Sequence, residues 1–210
     1  SNQARTLLEH YPNIVNDVFA NHDFEPDYSK LKGIKYATFK RIKDKIIKNA
    51  ELSEILIMLQ PYGVSMNQIM RMAAEYADVR LLKKDLKENP YILTNISGFG
   101  FTKVDGIALK INPQLRDSMY RLVAYIKYFF AETGSNDGHP WVSLSELRDA
   151  VRKNVPDCKA NYISLRDTCK QSTENGNPSF LYIKDDIASL YSSYACEKAI
   201  AENLVRINKG

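Results

Sequence analysis

Three times along the chain a glycine followed by an apolar residue breaks a helical hydrophobic pattern and a new helical pattern begins. The stretches are "LKGIKYATFKRIKDKII" from residue 31, "PYGVSMNQIMRM" from 61 and "NPYILTNISGFGFTKVDGIALKI" from 89, with Gly33-Ile34-Lys35, Gly63-Val64-Ser65 and Gly98-Phe99-Gly100 at the breaks. Beyond each break come Phe39 and Ile42, then Ile69 and Met72, then Val104, Ile107, Ala108 and Ile111. Steps of three and four residues mark one helix face. Helix, glycine turn, helix is a helix-hairpin-helix. A glycine turns with positive φ and places no Cβ in the way. The following helix opens with unpaired amides at the positive end of its dipole, a place for a phosphate. Only the third copy keeps a second glycine, Gly100, so close approach of a phosphate is expected there first. In its first helical turn stand Thr102 and Lys103, and Lys103 adds a charge for the same oxygen, while Phe99 is expected to turn inward and lock the helices together. Lys35 and Ser65 replace the second glycine in the other copies, and the middle one reads equally well as a purely structural turn.

Elsewhere the periodicity is helical up to about residue 130. Leu52, Ile55, Leu56 and Leu59 form one face, and Leu115, Met119, Leu122, Val123, Ile126 and Phe130 another, with Met66, Met70 and Met72 expected as core filler. After Gly138 the pattern changes. "WVSLSELRDAV" reads as a short extended stretch, then Ser143 as a helix cap with Glu146 three residues on, then a helix. "NYISLRDTCKQS" is a further helix, "TENGNP" a loop, and "FLYIKDDIASLY" two short strands around Lys184, Asp185 and Asp186, closed by a helix through Ile207. The fold class expected is mainly α, with helix-hairpin-helix repeats followed by a winged-helix-like domain carrying a small β-hairpin. Residues 1–28 read as a helical lead-in, 29–112 as the hairpin domain and 113–210 as the winged-helix-like domain.

The net charge of +4 over 210 residues says less than its distribution. Between 31 and 50 stand Lys32, Lys35, Lys40, Arg41, Lys43, Lys45 and Lys48, against Asp44 alone. A concentrated basic helix is the footprint of a polyanion partner, and its bland alternative is a solvated face. With 44% hydrophobic and 26% charged residues, the chain is neither disordered nor membrane-spanning in composition. Its longest apolar run, "ILIML" at 55–59, is far short of the ~20 residues a bilayer requires. No basic region followed by an apolar segment opens the chain, so a cytosolic protein is expected. A start at Ser1 rather than Met suggests a piece of a longer protein. Cys158, Cys169 and Cys196 form no CxxC pair and read as buried or incidental thiols. Catalytic constellations are poor: His139 with Cys169 or Ser143, and Asp185 with Asp186, lack a spacing that any mechanism demands. No GxxxxGK[ST] string occurs, so no P-loop is present.

The string "ENPYILTNISGFGFTKVDGIALKI", followed by Arg121, "GHPWVSLSEL" and the closing "LYSSYACEKAIAENLVRI", resembles the region ahead of the motor in RecD-like DNA helicases, the family of exodeoxyribonuclease V alpha subunits. The basic hairpin at 31 and "LQPYGVS" at 59 fit the same region, and the resemblance covers roughly residues 28–210. It implies a parent that hydrolyses ATP and translocates on single-stranded DNA in recombination and repair, in the bacterial cytoplasm. The P-loop, and with it ATP and Mg, is expected only in a motor absent from these 210 residues, into which the last helix would lead. This chain is then expected to carry no catalytic residue, cofactor or metal of its own. Its partners are expected to be single-stranded or junction DNA, held by the backbone, and its own motor domain, with no membrane. Gly33, Lys35, Lys40, Arg41, Gly63, Ser65, Gly98, Gly100, Thr102 and Lys103 are the expected DNA contacts. Two other readings stay open. The chain can be an interaction scaffold packing on the motor or a partner, with helix 161–174 offering Arg166, Lys170 and Gln171. It can also be a glycosylase or lyase using Lys103 and Asp105.

Overall fold

The computed structural model describes residues 2–137, 140–177 and 179–209. His139 and Gly138 lie outside them. Two compact units share the chain, Ser1–Asp85 and Leu86–Gly210.

The first unit begins with α1 (Asn2–His10) and α2 (Ile14–Ala20), which precede a short 3-10 turn at Tyr28–Lys30 and the long α3 (Tyr36–Leu59). Leu7, Ile14, Val18, Leu31, Ile34 and Phe39 form one core, so the lead-in helices are the inner wall of the first hairpin. α3 runs 24 residues, about 36 Å at 1.5 Å per residue, and its far end buries Leu52, Ile55 and Leu59. A second 3-10 turn, Gln60–Tyr62, leads through Gly63 into α4 (Met66–Ala74), which packs back on α3. Of the three methionines expected as core filler, only Met72 is buried, and Met70 is exposed. Met70 stands one residue past the buried Ile69, which turns it about 100° off the face that α4 buries. α5 (Val79–Glu88) follows, and Lys83 ties it to α3 through Glu51 and Glu54.

In the second unit a 3-10 segment, Pro90–Asn95, stands where the sequence suggests a short α-helix. Pro90 opens it, and the Asn89 side chain accepts from the Tyr91 amide. The third glycine turn leads into α6 (Phe101–Ile111), and another 3-10 turn, Pro113–Asp117, into α7 (Met119–Asp137). Then come β1 (Trp141–Ser143), α8 (Leu144–Asn154), α9 (Tyr162–Glu174), β2 (Leu181–Lys184), β3 (Ile187–Leu190) and α10 (Tyr191–Lys209). The strands form one antiparallel sheet in the order β1-β3-β2, with Val142 and Ile183 both opposite Ala188. These three residues, with Leu147, Val151 and Leu181, are buried. Around this small sheet the order of elements is helix, strand, helix, helix, strand, strand. The hairpin expected from "FLYIKDDIASLY" is therefore two strands of three, because β1 adds to its β3 edge. The 112/113 division drawn from the sequence lies inside this second unit, where Arg121 of α7 is paired with Asp105 of α6.

Candidate nucleic-acid interface

All three glycine turns have the same local geometry. Gly33, Gly63 and Gly98 have φ of +80°, +78° and +82°, a left-handed conformation that costs an L side chain roughly 1–2 kcal/mol. Each turn closes with a backbone hydrogen bond: Ile34 to Leu31 O at 3.2 Å, Gly63 to Gln60 O at 2.9 Å, Phe99 to Ile96 O at 3.0 Å. The residue after each glycine, Ile34, Val64 or Phe99, is buried, and so is the residue six beyond the glycine, Phe39, Ile69 or Val104. The inward turn expected of Phe99 is thus a property of the whole frame. Two residues after the glycine comes the N-cap of the following helix: Lys35, Ser65 or Gly100.

At these N-caps the three copies part. Ser65 closes a full capping box, its hydroxyl accepting from the Gln68 amide while the Gln68 side chain accepts from the Ser65 amide at 2.9 Å. Gly100 and Lys35 provide no side-chain cap, so the first-turn amides of α6 and α3 point outward at the positive end of a helix dipole. Gly100 has φ −67°, and a Cβ there would stand 3.9 Å from Tyr128 Cε2, an ordinary contact. The backbone and the core therefore tolerate a side chain at 100, whereas at 98 the backbone does not.

Beside the third turn lies a cleft of about 510 Å³ walled by Gly98, Gly100 and Phe101 on one side and by Lys127, Tyr128 and Glu132 of α7 on the other. The Tyr128 ring packs on Phe101 at 5.9 Å. Lys103 is exposed and holds its ammonium 3.6 Å above the Phe99 ring, a cation–π contact that keeps its charge at the turn. Thr102 is exposed in the same helical turn. Lys127 and Tyr128 are not among the contacts expected from the sequence. Their signal is the alternation of aromatic and basic residues in "YIKYFF", which merges there into a helix face.

At the first turn Lys35, Lys40 and Arg41 are exposed. Lys43, by contrast, is drawn inward to Glu25 at 3.3 Å. The basic run thus presents only part of its charge to solvent.

Asp105 has a different role from the one a lyase reading gives it. Arg121 grips it with two bonds of 2.8 Å, and Tyr91 donates to it at 2.6 Å. Arg121 also donates to Asp157 at 2.8 Å and to the Arg116 carbonyl, and Arg116 pairs with the same Asp157. Hydrogen bonding to Arg121, then to Arg116, holds the Asp157 carboxyl below its usual range. The pairing with Asp105 raises the Arg121 guanidinium, and burial, then the bond to Asp105, raises the Tyr91 phenol. Lys103, over Phe99, takes no part in this network. Asp105 and Arg121 serve as a clasp between α6 and α7.

Residues 48–141 match the family model of the ATP-dependent RecD2 DNA helicase HHH domain. That stretch is similar to a RecD-like helix-hairpin-helix region, as the resemblance in the sequence implied. No curated protein matches the chain. The RecD2-type domain starts within α3 and takes in the second and third hairpins, α7 and the first residue of β1. The first hairpin lies ahead of the matched segment and is joined to the other two by its frame alone. Among the described residues, no helix is long and apolar enough to cross a membrane, and no cluster of His, Cys, Asp or Glu could hold a metal ion.

Proposed function

We propose that this chain is a non-catalytic, DNA-backbone-binding region of an ATP-dependent RecD-like helicase acting in recombination and repair, with the third hairpin as its principal phosphate seat. The observation that carries this reading is the open first turn of α6 in the RecD2-type segment, next to Lys103 and the Lys127–Tyr128 wall. Amides aimed at phosphate position a protein on DNA and read no sequence. Gly33, Lys35, Lys40 and Arg41 add a second contact at the first hairpin. Gly63 and Ser65 serve the turn, because the capping box there already takes up the Ser65 and Gln68 amides. ATP and Mg belong to the parent's motor, and single-stranded or junction DNA is the partner.

The test is Gly100→Ser, which supplies at the third hairpin the cap that Ser65 supplies at the second. The variant should fold as the parent does, yet bind a labelled oligonucleotide more weakly at every salt concentration. Unchanged affinity in a folded Gly100→Ser protein would remove the third hairpin from the DNA path.

A second reading has its own observation. α10 exposes Ile200, Leu204, Val205 and Ile207 toward its end, an apolar patch suited to packing on the parent's motor. As a scaffold alone, the chain would have the same DNA affinity with and without Gly100→Ser.

A further inference from the structure

A second concave surface lies outside the RecD2-type segment, between α8 and α9. It encloses about 460 Å³, and four cations line it: Arg148 and Arg152 of α8, Lys159 of the connecting loop and Arg166 of α9. No carboxylate is among its lining residues. Arg148 and Arg166 each touch the aspartate next to them in sequence, Asp149 at 3.0 Å and Asp167 at 2.5 Å. Such exposed pairs neutralise little. Asp157, on the same loop as Lys159, is occupied by Arg121 and Arg116. Among the described residues Arg152 and Lys159 have no ion-pair partner. Like charges converging on one concavity repel unless an anion enters, and low-dielectric walls concentrate their field. The guanidinium fork suits phosphate oxygens two at a time. The wing lacks this character, since its tip is Asp185 and Asp186.

We infer that the α8–α9 cleft binds the phosphate backbone of a nucleic acid, as a second anchor separate from the hairpins. It rests on the reading that the chain binds DNA, which makes a nucleic acid rather than an acidic peptide the polyanion at hand. The winged-helix-like domain then contacts the backbone through the cleft ahead of α9 and not through the acidic tip, whose Asp186 borders a neighbouring concavity with Arg148 and Arg166.

The experiment measures binding of a labelled oligonucleotide to the whole chain as a function of salt, for Arg152→Gln/Lys159→Gln, Arg152→Lys/Lys159→Arg, Lys153→Gln and Gly100→Ser. The double glutamine variant should bind several-fold more weakly, with the slope of log affinity against log salt reduced by about two, one for each cation that no longer faces a phosphate. The charge-keeping double variant should bind as the parent does. Lys153, exposed on the same helix but outside the cleft lining, should leave the slope unchanged when neutralised. Parental slope in the double glutamine variant, together with weakened binding by Gly100→Ser, overturns the cleft and leaves the hairpin reading standing. A loss in Lys153→Gln equal per charge to that of the double variant overturns it in favour of diffuse attraction. Equal losses in the charge-keeping variant overturn it in favour of a packing effect. If oligoglutamate binding falls in the double glutamine variant while DNA binding does not, the cleft belongs to an acidic protein partner.

Discussion

The second and third hairpins share a turn and differ at one atom group. Each has a glycine near φ +80°, a buried apolar residue after it and a buried residue six beyond the glycine. At the N-cap, however, Ser65 folds its hydroxyl over the helix end, whereas Gly100 offers nothing. The frame therefore builds the hairpin, and the N-cap residue decides whether the third amide of the helix is bonded by a side chain or stays open.

The largest asymmetry between the two is the clasp behind the third. Removing one partner of a buried ion pair costs about 3–5 kcal/mol, so Arg121→Met, which leaves Asp105 unpaired, should lower the denaturation midpoint of the second unit sharply. Hydrogen exchange should show α6 opening while α4 stays protected. Acid sensitivity sharpens the point. The folded Asp157 carboxyl titrates below its unfolded value because of Arg121 and Arg116, so its contribution is present above about pH 4 and lost as pH falls through the depressed value. That dependence should shrink in Arg121→Met, and an unchanged acid transition would show that the clasp is not what Asp157 senses.

Next in size are Gly98→Ala and Gly63→Ala. Both force a side chain into left-handed backbone, at roughly 1–2 kcal/mol each. Chemical denaturation should give similar losses, and a loss confined to one would break the claim of a common frame. Lys103→Ala should cost about 0.5–1 kcal/mol, because the ammonium no longer sits over the Phe99 ring. It should also lower the salt slope of DNA binding by about one, while a change of equal size at the second hairpin, Arg71→Ala, should leave the slope alone. The smallest effect on stability belongs to the exchange of caps. Ser65→Gly should cost, and Gly100→Ser should gain, only a few tenths of a kcal/mol, although their effects on DNA affinity should differ widely.

Much of this was written in the order of residues. The glycine, the apolar residue after it and the helical spacing beyond act through local backbone preference and the burial of one face, and both operate within about ten residues. Hence the three hairpins, the Ser143 cap and the strands around Asp185 could be read from the chain. The basic run at 31–50 could also be found, but not which of its charges face solvent, since Lys43 turns to a glutamate 18 residues away. Other features join distant segments: β1 onto β3, Arg121 onto Asp105 and Asp157, Lys127 and Tyr128 beside the third turn, and four cations around the α8–α9 cleft. Each depends on backbone or side-chain groups that meet only after the elements have packed, at separations where sequence spacing has no fixed relation to distance. The sequence determined where the chain can turn and present amides. Tertiary packing decided which amides stay open and which charges stand around them.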